Sequence, residues 1–263
     1  MKKLCPSCET VLKSATDCIA YCPKCHWQGN FRDTSATPTI APMQLPYVSI
    51  DIETTGLVAE TCQILEVGAV FDDWSKPVAE LPKFHRIITH QAIVGQPYAL
   101  SMHPHLLRLI AEQPLLDACP ACGGVLQGGR NDGLCTACVW IGSRRNPMFC
   151  SIQDLAGQFS DWMFHECDWL LTEKRITPAG KNFASFDRGF LDLCGFDRFF
   201  HHRTLDPAPL FWRPEDETLP CSKTCMERAG IDGKVAHTAV ADAMAVVRMI
   251  RYAARQICKF PNS

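Results

Sequence analysis

The sequence contains no long apolar run, no surplus of positive charge and no apolar segment of the signal-peptide kind after Met1-Lys2-Lys3-Leu4, and each absence narrows what the chain is expected to be. No stretch approaches the roughly 20 apolar residues that a membrane-spanning helix needs. Met1-Lys2-Lys3-Leu4 begins like a signal peptide, but no apolar core follows it. A cytoplasmic protein with no membrane partner is therefore expected. The formal net charge of −2 excludes a strongly basic protein that coats nucleic acid. What remains is an ordinary globular composition: 263 residues, 47% of them hydrophobic, enough to bury one large core or two smaller ones.

Cysteine is the exception. Sixteen are present, and in a reducing compartment metal ligation is a better reading than disulfides. Eight fall into Cys-x-x-Cys pairs that form two quartets: Cys5, Cys8, Cys22, Cys25 and Cys119, Cys122, Cys135, Cys138. Each quartet sits in a repeated pattern of Cys-Pro-x-Cys, Val-Leu, Cys-x-x-Cys and x-Trp-x-Gly, with Trp27 in the first copy and Trp140 in the second. The repeat marks an internal duplication. Four thiolates on two tight turns can close a tetrahedral site, so a structural zinc ribbon is expected at 1–30 and a second at 117–143. Rubredoxin-like iron is the alternative metal. Cys18 and His26 could replace ligands of the first quartet, although the paired spacing favours the four named. Cys18, Cys62, Cys150, Cys167, Cys194, Cys221, Cys225 and Cys258 read as small apolar fillers.

Residues 31–46, rich in Thr, Ser, Ala and Pro, read as a linker. Beyond it, Val48-Ser49-Ile50-Asp51-Ile52-Glu53-Thr54-Thr55-Gly56 is an apolar run that ends in two carboxylates and a small-residue turn. Residues two apart in a strand share a face, so Asp51 and Glu53 project together while Ile50 and Ile52 face the other way. Two carboxylates so placed repel each other unless a hard cation lies between them, and oxygen ligands suit Mg²⁺ or Mn²⁺. Gly180-Lys181-Asn182-Phe183-Ala184-Ser185-Phe186-Asp187 and His237-Thr238-Ala239-Val240-Ala241-Asp242 add two more acids and a histidine.

Singly, these residues have ordinary explanations. Asp187 at a helix start is favoured by the helix dipole, Asp242 could be a surface residue and His237 a packing residue. Their joint order overrules those readings. Asp-x-Glu-Thr-Thr-Gly, then Asn-x-x-x-Phe-Asp, then His-x-x-x-x-Asp resembles the DEDDh group of 3′→5′ exonucleases, which are DnaQ-like members of the ribonuclease-H-like superfamily. All five signature positions are filled, and the resemblance runs from about Tyr47 to Tyr252.

The resemblance implies an α/β fold, a ribonuclease-H-like mixed sheet flanked by helices, spanning 47–258 and interrupted by the second ribbon. Strands are expected at 47–53, 63–71, 84–88, 176–182 and 203–205. Helices are expected at 98–111, 152–165, 185–193 and 237–257. His237 and Asp242 lie five positions apart, a turn of roughly 140° on one helix, so both cannot face inward from mid-helix. His237 is expected on the preceding loop, with Thr238 as N-cap and Asp242 on the first turns.

By the same resemblance, Asp51 bridges two divalent ions, Glu53 and Asp242 complete the first, and Asp187 holds the second. His237 is the general base for the water that attacks the 3′-terminal phosphodiester, and the product is a nucleoside 5′-monophosphate. Thr54, Thr55, Gly56, Leu57, Asn182 and Phe186 are expected around the terminal nucleotide, with a core leucine as the plain alternative for Leu57 and a core place for Phe183. The implied partner is the 3′ end of a single strand, DNA or RNA, long or short. An inactive exonuclease fold used as a nucleic-acid or protein-binding adaptor is the alternative function. The ribbons either staple loops that lack a core, guide a strand through Lys24, Arg130, Arg144, Arg145 and a tryptophan, or bind a protein partner.

Overall fold

The structure, a computed structural model, describes residues 13–14, 19–21, 28–30, 45–131, 133–138, 140–231 and 238–257. The first quartet of cysteines and His237 lie outside the described residues. The chain divides into two compact units, Met1–Leu45 and Pro46–Ser263. In the first, β1 (Lys13–Ser14), β2 (Ile19–Tyr21) and β3 (Gln28–Asn30) form an antiparallel sheet in the order β1-β2-β3.

The second unit opens with the antiparallel meander β4 (Tyr47–Thr54), β5 (Ile64–Asp72) and β6 (Lys83–Thr89). All nine residues of β5 are buried, as a central strand covered on both faces must be. The helix expected at 98–111 is two helices, α1 (Pro97–Met102) and α2 (Pro104–Glu112). Pro104 disfavours helical backbone at the residue before it, and His103 accordingly takes φ −119°, ψ 40°. The chain then enters a small antiparallel sheet of β7 (Leu126–Gln127), β8 (Gly133–Cys135) and β9 (Ile141–Gly142). Its neck is closed by the Leu116 N–H donating to the Arg144 carbonyl at 2.8 Å. Arg144 is committed to the same joint, donating to the carbonyls of Leu116 and Gly128 at 3.1 and 2.6 Å.

The main sheet resumes with β10 (Phe149–Ser151), parallel to β6, and α3 (Ile152–Cys167) follows directly. Ser151 caps α3, its Oγ accepting from the Asp154 N–H at 3.2 Å. Beyond it, β11 (Thr177–Ala179) pairs in parallel with β4. It is shorter than the strand expected at 176–182 because the chain turns at Gly180, and Asn182 adopts φ +62°. The expected strand at 203–205 contributes only a bridge, Ala179 to Leu205. The remaining α-helices among the described residues are α4 (Asp187–Leu193), α5 (Ser222–Arg228) and α6 (Ala239–Ile257). The strand order β10-β6-β5-β4-β11 gives a five-stranded mixed sheet in an α/β fold.

The alternation along β4 sorts the two faces. Val48, Ile50 and Ile52 pack into one apolar cluster with Leu155, Phe159, Trp162 and Phe196, which seats α3. Tyr47 joins a second cluster with Ala243, Met244 and Val247 of α6 on the opposite face. There the Ser49 hydroxyl donates to the Ala243 carbonyl at 2.8 Å. Gly68 lets the start of α6 approach β5 closely, since a Cβ on it would lie 2.2 Å from the backbone of Ala239 and Val240. Farther along, Arg251 of α6 donates to both carboxylate oxygens of Asp72 at 2.8 and 2.6 Å, and the Tyr47 hydroxyl donates to Asp72 at 2.8 Å. No described helix is long and apolar enough to cross a membrane.

Candidate active site

Asp51 and Glu53 stand on the α6 face of β4, opposite the buried Ile50 and Ile52. α6 begins at Ala239 and carries Asp242 in its first turn. The docking of α6 on Ser49 and Gly68 therefore brings Asp242 to β4, where one carboxylate oxygen each from Asp51, Glu53 and Asp242 lie within 4.8 Å of one another. Asp187, the first residue of α4, is buried, and its Oδ1 accepts from the Ile52 N–H at 3.2 Å. β11 pairs with β4 only as far as Ser49, so this carboxylate takes over the edge of β4 where the neighbouring strand has ended.

The charges are poorly compensated. Burial, then Asp187, Glu53, Asp242 and Glu66 in that order, push the Asp51 carboxyl well above its ordinary range. Burial and then the acids around it raise Glu53 to about 7. Asp187 is raised to about 7 by burial, against two backbone hydrogen bonds that favour its ionised form. No described lysine or arginine forms an ion pair with Asp51, Glu53 or Asp187. Carboxylate oxygens that converge in this way fit a hard divalent cation such as Mg²⁺ or Mn²⁺.

Two residues that sequence reasoning missed support this cluster. His103, at the break between α1 and α2, places Nε2 3.5 Å from Glu53 Oε2. Glu66 faces Glu53 across β4 and β5; its Oε2 accepts from the Ala239 N–H at 3.1 Å and its Oε1 lies 2.5 Å from His85 Nε2. A carboxylate on the first N–H of α6 both caps the helix and fixes where Asp242 emerges. Each had a sequence signal: Pro104 after His103, and a single acid inside the apolar run Ile64 to Phe71.

After a register shift at Glu53, the chain turns through Thr54, Thr55 and Gly56. Thr54 Oγ1 donates to the Gly56 carbonyl at 2.7 Å and Thr55 Oγ1 to the Val94 carbonyl at 2.7 Å, tying the turn to the segment before α1. Beside Glu53 opens a cavity of about 320 Å³ lined by Thr54, Gly56, Leu57, Gln96, Tyr98, Met102, His103 and Phe186. Leu57 is 74% exposed and Tyr98 78%, so Leu57 is a surface side chain and not a core leucine. Of the other expected contacts, Thr55 is buried in holding the turn, and Asn182 is a turn residue whose N–H donates to Asp206 at 2.9 Å; neither lines this cavity. Phe183 is buried in the core.

The second cysteine quartet also converges. One sulfur each from Cys119, Cys122, Cys135 and Cys138 lie within 4.8 Å of one another, with Cys119 to Cys138 at 3.7 Å and Cys122 to Cys135 at 3.5 Å. Backbone N–H groups of Ala121 and Ala137 donate to Cys119 and Cys135 at 3.4 and 3.3 Å. The Ala137 bond foremost draws the Cys135 thiol down to about 7. A Cβ on Gly124 would lie 2.7 Å from the Ala137 methyl and 3.3 Å from the Cys122 sulfur, so that position must stay bare. Among the described residues, Cys119, Leu126 and Cys135 form the buried centre of this module, a core too small to hold three short strands without a staple. The quartet could bind zinc. Of the scattered cysteines, Cys150 and Cys225 are buried as expected, whereas Cys221 is exposed and fills nothing.

No protein-family model matches the sequence, and no curated protein matches it significantly. Among solved structures, a moderately thermophilic exonuclease I from Methylocaldum szegediense aligns over 82% of this chain with a TM-score of 0.50 and 13% identity. The two share a fold. This chain spans only 42% of the length of that exonuclease I. A second exonuclease I structure aligns over 82% of this chain and 43% of its own, with a TM-score of 0.49 and 13% identity.

Proposed function

We propose that the chain is a metal-dependent 3′→5′ exonuclease that hydrolyses the terminal phosphodiester of single-stranded DNA or RNA and releases nucleoside 5′-monophosphates. The observation that carries this reading is the convergence of Asp51, Glu53 and Asp242 within 4.8 Å beside the cavity headed by Leu57. In it, Asp51, Glu53, Asp187 and Asp242 would hold two divalent ions, Mg²⁺ or Mn²⁺, and such a pair would supply activation of a water and stabilisation of the departing oxygen in an in-line displacement. Glu66 holds the start of α6 so that Asp242 reaches β4, and His103 orients Glu53. Leu57, Tyr98, Met102 and Phe186 offer an apolar and aromatic surface for the terminal base and sugar, with stacking that tolerates every base. His237, five residues before Asp242, serves as general base by the sequence resemblance. Zinc in each cysteine quartet is structural.

Purified protein is incubated with 5′-labelled single-stranded DNA, single-stranded RNA and a dinucleotide, each with Mn²⁺ or with EDTA, beside the Asp51→Asn variant. Stepwise shortening from the 3′ end that stops with EDTA and with the substitution is the expected result. If all three substrates survive in Mn²⁺, the catalytic reading fails and the adaptor reading replaces it.

A further inference from the structure

A second cavity lies between the inserted cysteine module and the edge of the main sheet. It has a volume of about 330 Å³, and Arg130 of the module and Arg145 at its neck both line it. Neither guanidinium has a hydrogen bond or ion pair among the described residues, in contrast to Arg144, which is spent on two carbonyls. The amides around them are left as donors. Asn146 Oδ1 already accepts from the Met148 N–H at 3.0 Å, and Gln158 Oε1 accepts from Arg86 Nε at 2.5 Å, so each keeps its NH₂ group for another partner. The one lining carboxylate, Asp154, is engaged by the Ser151 hydroxyl at 2.7 Å at the start of α3. A cavity with two unpaired guanidiniums and spare amide N–H groups is complementary to a phosphate.

Its place in the sheet gives the phosphate a source. β4, β6 and β10 run in the same direction, and Thr54, Thr89 and Ser151 are their last residues. The carboxylate cluster and this cavity thus lie toward the same end of one sheet, the cavity at the β10 edge and the acids on β4, three strands away. At about 4.8 Å per strand that is a separation of roughly 14 Å, beyond the nucleotide whose bond is cut. An adjoining cavity of about 630 Å³ shares Thr89, Gln113 and Ser151 with it and extends it past His90 to Gln63 at the start of β5.

We propose that Arg130 and Arg145 hold backbone phosphates of the substrate strand upstream of its 3′ terminus, so that the inserted module makes the protein prefer strands of several nucleotides over dinucleotides. This rests on the exonuclease reading above. The same chemistry would also accept the phosphate of a free nucleoside monophosphate, and the test separates the two.

Binding of a 5′-fluorescent twelve-nucleotide single strand is measured in EDTA, where no turnover interferes, for the wild type, Arg130→Ala/Arg145→Ala and Arg145→Lys. Hydrolysis of the p-nitrophenyl ester of thymidine 5′-monophosphate, which reaches only the active site, is measured with Mn²⁺. The double variant is expected to bind the strand about tenfold more weakly, with a salt dependence flatter by about 1.4 in log–log slope. Its kcat/KM on the ester should stay within about twofold of wild type. Arg145→Lys keeps the charge and is expected to recover most of the affinity, which loss of folding would not allow. Unchanged strand affinity in the double variant overturns the proposal. So does a loss confined to competition by thymidine 5′-monophosphate, which would make the cavity a mononucleotide site. Failure of the wild type to cleave either ester or strand strikes the exonuclease reading alone, because the binding result stands without turnover.

Discussion

Helix α6 carries two acidic sites on one face of the sheet, and they are built on opposite principles. At Asp72 a buried carboxylate meets a bidentate guanidinium from Arg251 and a hydroxyl from Tyr47. Near the start of the same helix, Asp51, Glu53 and Asp242 crowd together, and the charges that act on Asp51 are those of four other acids. The first arrangement is how a fold keeps a buried charge at rest. The second lowers stability as it stands, as expected of the cation site proposed above.

The largest effect that sharpens this contrast is on turnover. Asp51→Asn should lower kcat by at least about a thousandfold, the loss of several kcal/mol of metal-based stabilisation. The same change removes repulsion, so the metal-free variant should melt at or above the wild-type temperature. A variant that melts lower in EDTA would mean that the acids are not in conflict. At the other site, Arg251→Met leaves Asp72 buried without its cation and should cost about 3 to 5 kcal/mol. For a unit of this size that is a fall in Tm of roughly 10 °C by calorimetry. Its effect on kcat, measured well below that Tm, should be small; a large one would show that the two sites are not separable.

A smaller effect is expected from pH. Glu53 and Asp187 stand at about 7 in the folded protein against ordinary carboxyl values of 4.5 and 3.8. Between roughly pH 4 and 7 the folded state therefore binds more protons than the unfolded state, and stability falls as pH rises. In EDTA the Tm should drop between pH 5 and pH 8, and Mn²⁺ should reverse the drop at pH 8. A Tm in EDTA that rises over this interval would contradict the raised values. The smallest effect lies outside both acid sites. Leu57→Ala, at a side chain 74% exposed, should leave Tm unchanged and raise KM about tenfold.

The alternation along β4 is enough to put Asp51 and Glu53 on one face, because a slip of one residue would turn Ile50 and Ile52 out of the core, whereas β5, buried on both faces, reads only as a continuous apolar run. The order of the three acidic motifs marked Asp187 and Asp242 without any knowledge of packing. The sequence reading failed where a single residue broke a pattern. The apolar stripe from Leu100 to Ile110 reads as one helix, but Pro104 divides it and sets His103 against Glu53. Glu66 stands out as an acid in an apolar run, but its role does not, because its partner, the Ala239 N–H, lies 173 positions away. Three-residue strands such as β10 and β11 carry too few positions for a period to emerge. The donor-rich cavity of Arg130 and Arg145 brings together two arginines 15 positions apart while Arg144 is used elsewhere, which their places in the sequence cannot reveal.

The central claim is that the converging carboxylates are a divalent-metal site. Calorimetric titration of the wild type and Asp51→Asn with Mn²⁺ at pH 7.5, repeated in buffers of different ionisation enthalpy, tests it most directly. The expected result is binding by the wild type accompanied by proton release, because Glu53 and Asp187, raised to about 7, and Asp51, raised well above its ordinary range, must ionise to become ligands, and binding at least tenfold weaker in the variant. Mn²⁺ affinity that is unchanged by Asp51→Asn, or absent in both proteins, would contradict it.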